Sequence, residues 1–541
     1  MTKSIVRGIV VTSLLLPALA SCGSNTPTPP DPTPPTPPTG TAYQVSLVPT
    51  RALDLVVMVD NSPGMAPKAA KMYAQLPKLL TALKDPADGT YPDLRVAIID
   101  SDLGTGGAYS SGSCGPNESN GQGVYGDLGN FQMRGASLCG MVGTNPLWIE
   151  IAKGAPVNYD PSRDLSSVFA CLATNTGTLG CGEEHSLQAF EFALVARNLH
   201  AGSFAQQNNF LRPSANLGLV FITDEDDCSA ATNDAMFGDK PELRGESASL
   251  RCATRAHMCN GANLSDSGPG YPTTASYITN LTACAARTDA CPNPTDSTGG
   301  SGLDTSYPTA CSPLKGIHAL ATELKSLKLN ADQKITVAGI FGWPRNGADG
   351  KPDLANAKYR IDRVPNPNMA DTAHPEVFDA WPVCYDPNHM PAGSGFDADA
   401  WGWGAMPGLR LSAFVDEFGA NGMKFSICEP DFGDIMTGIG TALATKGRDA
   451  CVPADFDLGK TCAVTVSRTI AIVDGATVFS TDPAPLPPCA AGATTTDVDC
   501  YTVLADAVCA AAEVRVGLLR TDAEIAAGPL SDGSYLQVSC H

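Results

Sequence analysis

Two short acidic segments carry the residues best suited to chemistry. Asp60-Asn61-Ser62-Pro63-Gly64 follows one apolar run, and Thr223-Asp224-Glu225-Asp226-Asp227 follows another. Carboxylate and hydroxyl oxygens are what hard divalent cations take as ligands, and Mg²⁺ keeps several waters where protein ligands are few. Other chemistries lack their residues. There is no Gly-x-Ser-x-Gly elbow, no His-Glu-x-x-His and no Walker A loop, and Gly459-Lys460-Thr461 has no upstream glycine at the required spacing. The seven histidines are scattered, and His185 reads as an exposed residue at a helix start. Asp397 and Asp399 beside Trp401 and Trp403 suggest a carbohydrate site, but the tryptophans read better as loop anchors. Of Glu225, Asp226 and Asp227, at least two are expected to be solvated surface charge. The chain is therefore read as a non-enzyme.

The elements that must position these segments are legible in the hydrophobic pattern. Leu53 to Val59 is almost continuously apolar and ends at Asp60, as a strand buried on both faces reads. Met65, Ala69, Met72, Leu76, Leu79 and Leu83 recur at helical spacing. Leu94–Ile99 is a second strand and Leu217–Thr223 a third, closed by Asp224. A helix opens at Glu183 and Glu184 and runs towards Arg197, acid first and base last, as its dipole favours. Ser312-Pro313 reads as the cap and first turn of a further helix. It is followed by a strand at Ile335–Ile340, a helix near 409–418, a strand near 424–427 and a helix over 431–446. Alternating strands and helices predict an α/β fold, a doubly wound and mostly parallel sheet. Ligands of such sheets bind beyond the carboxyl ends of the strands, so both acidic segments belong to one rim.

Three long Gly-, Ser-, Asn- and Pro-rich stretches, near 104–165, 229–312 and 342–406, interrupt the series and read as insertions. Without them residues 51–447 keep about 190 residues, an ordinary domain. Residues 448–541 change to alternating patterns such as Val464, Val466, Ile470 and Ile472, a small β-rich module with six cysteines.

The chain has 541 residues, 19 cysteines and a net charge of −21, an acidity that disfavours a nucleic-acid partner. Lys3 and Arg7 precede an apolar stretch too short to span a bilayer, so residues 1–21 read as a secretory signal. Leu19-Ala20-Ser21-Cys22 resembles the lipobox of bacterial lipoproteins. The resemblance implies cleavage before Cys22 and acylation of that residue, giving a stable membrane anchor. Ordinary secretion is the alternative. Gly23, with no acidic retention residue, favours the outer membrane. Loss of residues 1–21 takes the net charge from −21 to −23 and leaves an even set of eighteen cysteines, which reads as disulfides mostly within local blocks. Residues 22–42 form a linker whose eight prolines predict an extended stalk. At ~3.1 Å per residue about eighteen residues of it reach roughly 55 Å.

With these residues in place, the chain resembles the von Willebrand factor type A family, whose metal-ion-dependent adhesion site begins Asp-x-Ser-x-Ser after the first strand. Asp60, Ser62 and Asp224 match that motif. Gly64 stands where the second serine is expected, and no threonine stands clearly in the second loop. Gly180-Cys181-Gly182-Glu183-Glu184-His185 occupies that place, and Glu184 is the candidate replacement ligand by position. Asp60-Asn61-Ser62-Pro63-Gly64-Met65, the Gly-Cys-Gly-x-Glu start and Asp-Glu-Asp-Asp-Cys-Ser also resemble predicted surface lipoproteins of myxobacterial type. The resemblance implies that Mg²⁺ or another divalent cation binds at Asp60, Ser62, Asp224 and Glu184 and captures a carboxylate of a protein or surface ligand. Two alternatives stay open: a metal-free structural protein of the envelope, and an enzyme with its site in the insertions.

Overall fold

The computed structural model describes residues 42–46 and 52–540 apart from several internal stretches, chiefly 105–125, 196–208, 231–249, 264–277, 287–313 and 344–358. The signal, nearly all of the linker and Cys22 lie outside the described residues. Among those described, no helix is long and apolar enough to cross a membrane.

The strands of the two principal sheets are numbered β1 to β11. β2 (Leu53–Val59), β3 (Leu94–Ile99), β4 (Ile149–Ala152), β5 (Ala155–Pro156), β6 (Asn216–Ile222), β7 (Ile335–Phe341) and β8 (Gly422–Ser426) build one seven-stranded sheet in the order β8-β7-β6-β2-β3-β4-β5. Pairing is parallel from β8 through β3, and β4 and β5 add an antiparallel edge. The sheet is thus mixed and mostly parallel, as the pattern predicts, but its antiparallel edge comes from within the 104–165 stretch. That stretch is therefore not all decoration.

Both faces of the sheet are covered. Leu55, Val57 and Val59 pack with α1 (Ala66–Tyr73), α2 (Leu76–Ala82), α3 (Leu165–Thr174) and α8 (Gly433–Thr445). Val56, Met58, Leu219 and Phe221 pack with α4 (Ser186–Leu194), α5 (Ile317–Lys325) and α7 (Leu409–Asp416) on the other side. A helix of four residues, α6 (Ala398–Trp401), lies in the third insertion. β2 and β6 are buried at every position, which is why they carry continuous apolar runs instead of alternation.

Three helix boundaries differ from the expectation. The single helix expected over 65–83 is divided into α1 and α2, because Pro77 cannot donate to the carbonyl four residues earlier and so starts a new helix. α4 begins at Ser186, so Glu184 precedes the helix. α5 begins at Ile317 with Gly316 as its N-cap, downstream of Ser312 and Pro313, which lie outside the described residues.

The insertions carry their own sheets and disulfides. Ile278–Leu281 of the second pairs with Tyr359–Pro365 of the third, which pairs with Glu376–Ala380, so the two insertions share one sheet. Cys228–Cys252 and Cys259–Cys284 brace the second insertion, and Cys384–Cys428 ties the third to the end of β8. Cys139–Cys171 corrects the expectation of local blocks, because it joins the first insertion to α3. Tertiary proximity, not sequence neighbourhood, chose that pair.

The C-terminal module combines β9 (Cys462–Val473), β10 (Ala476–Thr481) and β11 (Tyr535–Cys540) with a three-stranded sheet of Cys451–Pro453, Glu513–Leu519 and Cys500–Leu504. Val464, Val466, Tyr501, Val516, Leu536 and Val538 form its core, and Cys489–Cys500 staples it. Its sheet takes in one strand from the far end of the chain: β1 (Ala42–Ser46) pairs antiparallel with β11.

Candidate functional site

The two acidic segments leave adjacent parallel strands. β2 and β6 run side by side with Val59 opposite Ile222, and the Asp60 amide donates to the Ile222 carbonyl at 2.9 Å. Asp60 and Asp224 therefore emerge together at the C-terminal rim. Asp60, Ser62, Glu184 and Asp224 are all buried, Asp224 being the most exposed at 6%.

Asp60 is held from two sides. Its Oδ1 accepts from the Ser62 amide at 2.7 Å, and its Oδ2 accepts from the Thr223 hydroxyl at 2.7 Å. Sequence reasoning missed Thr223, because it sought a threonine in the second loop. The hydroxyl stands instead at the end of β6, one residue before Asp224. Burial pushes the Asp60 carboxyl up to about 7, and the neighbouring Asp224 charge adds to it, against the opposing pull of those hydrogen bonds.

Glu184 faces the same cluster from the segment before α4. Burial, and then the charges of Asp60 and Glu225, hold its carboxyl well above the usual range. The Ser101 hydroxyl pulls the Glu184 carboxyl back down and the Ser62 hydroxyl does so for Asp60, yet neither Glu184 oxygen, nor Ser62 Oγ, nor Asp224 Oδ1 makes a hydrogen bond of standard geometry. Buried oxygens normally have well-formed partners, so these four atoms mark an under-satisfied polar cluster. The glycine before Cys181 is also explained. The Gly180 amide donates to the Asn61 carbonyl at 2.9 Å, and a Cβ at 180 would stand 2.0 Å from Asn61 Oδ1.

Gly64 gains a physical reason too. A Cβ there would lie 2.9 Å from Asp224 Oδ2, in the space a second serine would occupy. The same oxygen meets the Lys68 ammonium at 2.5 Å, and Lys68 is 2% exposed. Lys68 Nζ donates further to the carbonyls of Gly64 at 3.1 Å and Gly402 at 2.8 Å. Lys68 is the second residue that sequence reasoning overlooked.

Asp226, Asp227 and His185 overturn their surface reading. Asp226 accepts from the amides of Arg410 and Leu411 at the start of α7 and from His257 Nε2 at 2.5 Å. Asp227 is fully buried against Arg410. His185 is fully buried, and burial lowers its imidazole to about 4. Glu225 is half-buried, and with Glu184, Asp226, His257 and the Cys228–Cys252 disulfide it lines a small cavity beside the rim. Of the two tryptophans, Trp403 stacks on His389 and Trp401 packs edge-on against Trp381, as loop anchors do.

The donor set is made of oxygen alone, which suits a hard cation. Among the described residues no three His, Cys, Asp or Glu side chains are arranged to hold a metal ion between them. A cation here would rely on the Ser62 hydroxyl and on water beside Glu184 and Asp224, with Asp60 orienting Ser62 through its amide.

The raised Asp60 pKa has a measurable consequence. Unfolded, the carboxyl titrates near its ordinary 3.8; folded, near 7. The native state therefore binds more protons between these values, and stability falls as pH rises through that window. Asp60's contribution is fully present below pH 3.8 and lost by about pH 7. Urea denaturation in chelator is expected to show this decline, and Asp60→Asn to flatten it. Equal slopes in both proteins would refute the assignment.

No protein-family model matches the chain, and no curated protein matches it. Among solved structures it is distantly similar to the pilus adhesin SpaC from Lactobacillus rhamnosus GG, at 9% identity and a TM-score of 0.29, over 92% of this chain and 40% of that one. It is similar to the same degree to the pilus adhesin RrgA from Streptococcus pneumoniae, at 10% identity and a TM-score of 0.29, over 93% of this chain and 57% of that one. The chain thus spans about half the length of these proteins.

Proposed function

We propose that this chain is a lipid-anchored binding protein of the cell envelope, held through Cys22 and presenting a domain of von Willebrand factor type A kind, residues 51–447, to a protein or surface ligand. The observation that carries the reading is the set of buried oxygens of Ser62, Glu184 and Asp224 that make no hydrogen bond of standard geometry where two buried parallel strands end. Such a set is stabilised by a cation, and the cation supplies a Lewis-acidic point that a partner carboxylate can meet. Ser62, Glu184 and Asp224 would hold the ion, with Asp60 fixing the Ser62 loop. The insertions wall the rim and select the partner. The proposed task is binding, with no bond made or broken.

Calorimetric titration of the mature chain with Mg²⁺, Mn²⁺ and Ca²⁺ tests this directly. Saturable heat is expected for at least one ion and is lost in Asp224→Ala. No heat with any of the three removes the metal from the reading.

The Lys68–Asp224 contact favours a second reading, in which the rim is a metal-free scaffold and the insertions bind envelope components directly. Partner capture unchanged by chelator and by Asp224→Ala would select it.

A further inference from the structure

Among the described residues Lys68 is the cation that sits on Asp224 inside the acidic rim, and its position is peculiar. It sits on α1, four residues after Gly64, with its ammonium on Asp224 Oδ2 and on the carbonyls of Gly64 and Gly402. An ammonium has three donors, and these three acceptors use them all. The group is 2% exposed, so little water stands between its charge and Asp224. Two of the acceptors belong to the candidate site. The third, Gly402, follows α6 in the third insertion.

A divalent ion taken up at Asp224 Oδ1 would share one carboxylate with this ammonium. Like charges at that distance, out of water, repel strongly. The ion and the ammonium therefore cannot both hold Asp224 at full strength. We propose that Lys68 is an intramolecular competitor of the divalent cation at Asp224, which lowers the affinity of the rim for metal and couples metal uptake to release of the Gly402 turn. This rests on the cation-binding reading above.

The competition has a structural output. With its ammonium on Asp224, Lys68 draws the Gly402 carbonyl to the rim. Once an ion replaces it there, that tie is lost, while Lys71 still holds the same insertion through Asp386 at 2.6 Å. Only the turn around Trp401 and Trp403 is freed. Metal thus changes the aromatic edge of the rim as well as its charge.

The test compares the mature wild-type chain with Lys68→Met, which keeps the length of the side chain and removes its charge. In Mn²⁺ calorimetry Lys68→Met is expected to bind at least about tenfold more tightly than wild type, a change worth ~1.4 kcal/mol. Heat in Lys68→Met alone supports Lys68 as the competitor but removes the metal from the function proposed for the native rim, which then keeps its ammonium in place of an ion. Equal or weaker binding by Lys68→Met, with wild type binding, overturns the competitor and leaves the metal reading standing. No heat in either protein overturns both. Circular dichroism checks that the variant is folded. If it is not, hydrogen exchange on the wild type decides, because saturating Mn²⁺ is expected to speed exchange across 398–405, and unchanged exchange overturns the proposal.

Discussion

Asp227→Ala is expected to destabilise the domain by about 3–5 kcal/mol, the loss that follows when one member of a buried ion pair is removed and its partner stays charged. Asp227 accepts from Arg410 Nε at 3.1 Å and Nη2 at 3.0 Å, from the Leu187 amide at 2.9 Å and from the Ser229 hydroxyl at 2.5 Å. It therefore fastens α4 and α7 to the loop after β6, and Arg410 is fully buried beside it. Urea denaturation with disulfides intact reads the effect. Arg520–Glu524 is the internal control, an i,i+4 pair with side chains 17% and 37% exposed. Glu524→Ala is expected to change stability by no more than about 0.5 kcal/mol. Comparable losses in the two variants would contradict the role given to Asp227.

The second large effect comes from a close approach of backbones. A Cβ on Gly342, just past β7, would lie 1.6 Å from the Met406 carbonyl oxygen. No rotamer relieves that contact, because the obstacle is main chain. Gly342→Ala is expected to cost about 3 kcal/mol or more, at or beyond the upper end of ordinary overpacking. It also reaches the rim, since the Met406 amide donates to the Asp224 carbonyl at 2.7 Å and the Gly408 amide to the Gly342 carbonyl at 2.9 Å. Gly438→Ala in α8 makes the opposite case. Nothing lies within 4 Å of its Cβ position, and a helical glycine exchanged for alanine gains about 0.5–1 kcal/mol. Thermal unfolding of both variants, with Gly342→Ala not below wild type, would refute the argument.

The frame of the domain was legible in the sequence because burial on both sides leaves an unbroken apolar run. β2 and β6 are buried at all seven positions, and they end just short of a closing carboxylate, Asp60 directly after β2 and Asp224 two residues past Ile222. Asp60 and Asp224 followed from that, since adjacent parallel strands place their ends side by side. Lys68 did not follow, although a signal was present. It lies three residues after Met65 and four before Met72, both buried, so a charge stood on the core-facing stripe of α1. Such a charge needs a partner, and the nearby acidic segment was the candidate. Asp226 and Asp227 were misjudged because a run of acids reads as solvated when the amides and guanidinium that receive it lie almost two hundred residues downstream. The Cys139–Cys171 pair escaped for the same reason: its proximity is created by packing of α3 against the first insertion, which no local pattern encodes.

The pairing of β1 with β11 sets an order of events in time. β1 is synthesised long before β11, yet Ala42 lies opposite Ser539 in the folded chain. The strand after the linker must wait, with its ladder edge unmet, until residues 535–540 have been made. The seven-stranded sheet needs neither of them and can be complete before that moment. A chain cut short before residue 535 would therefore carry a finished seven-stranded sheet and a β1 that has lost its partner.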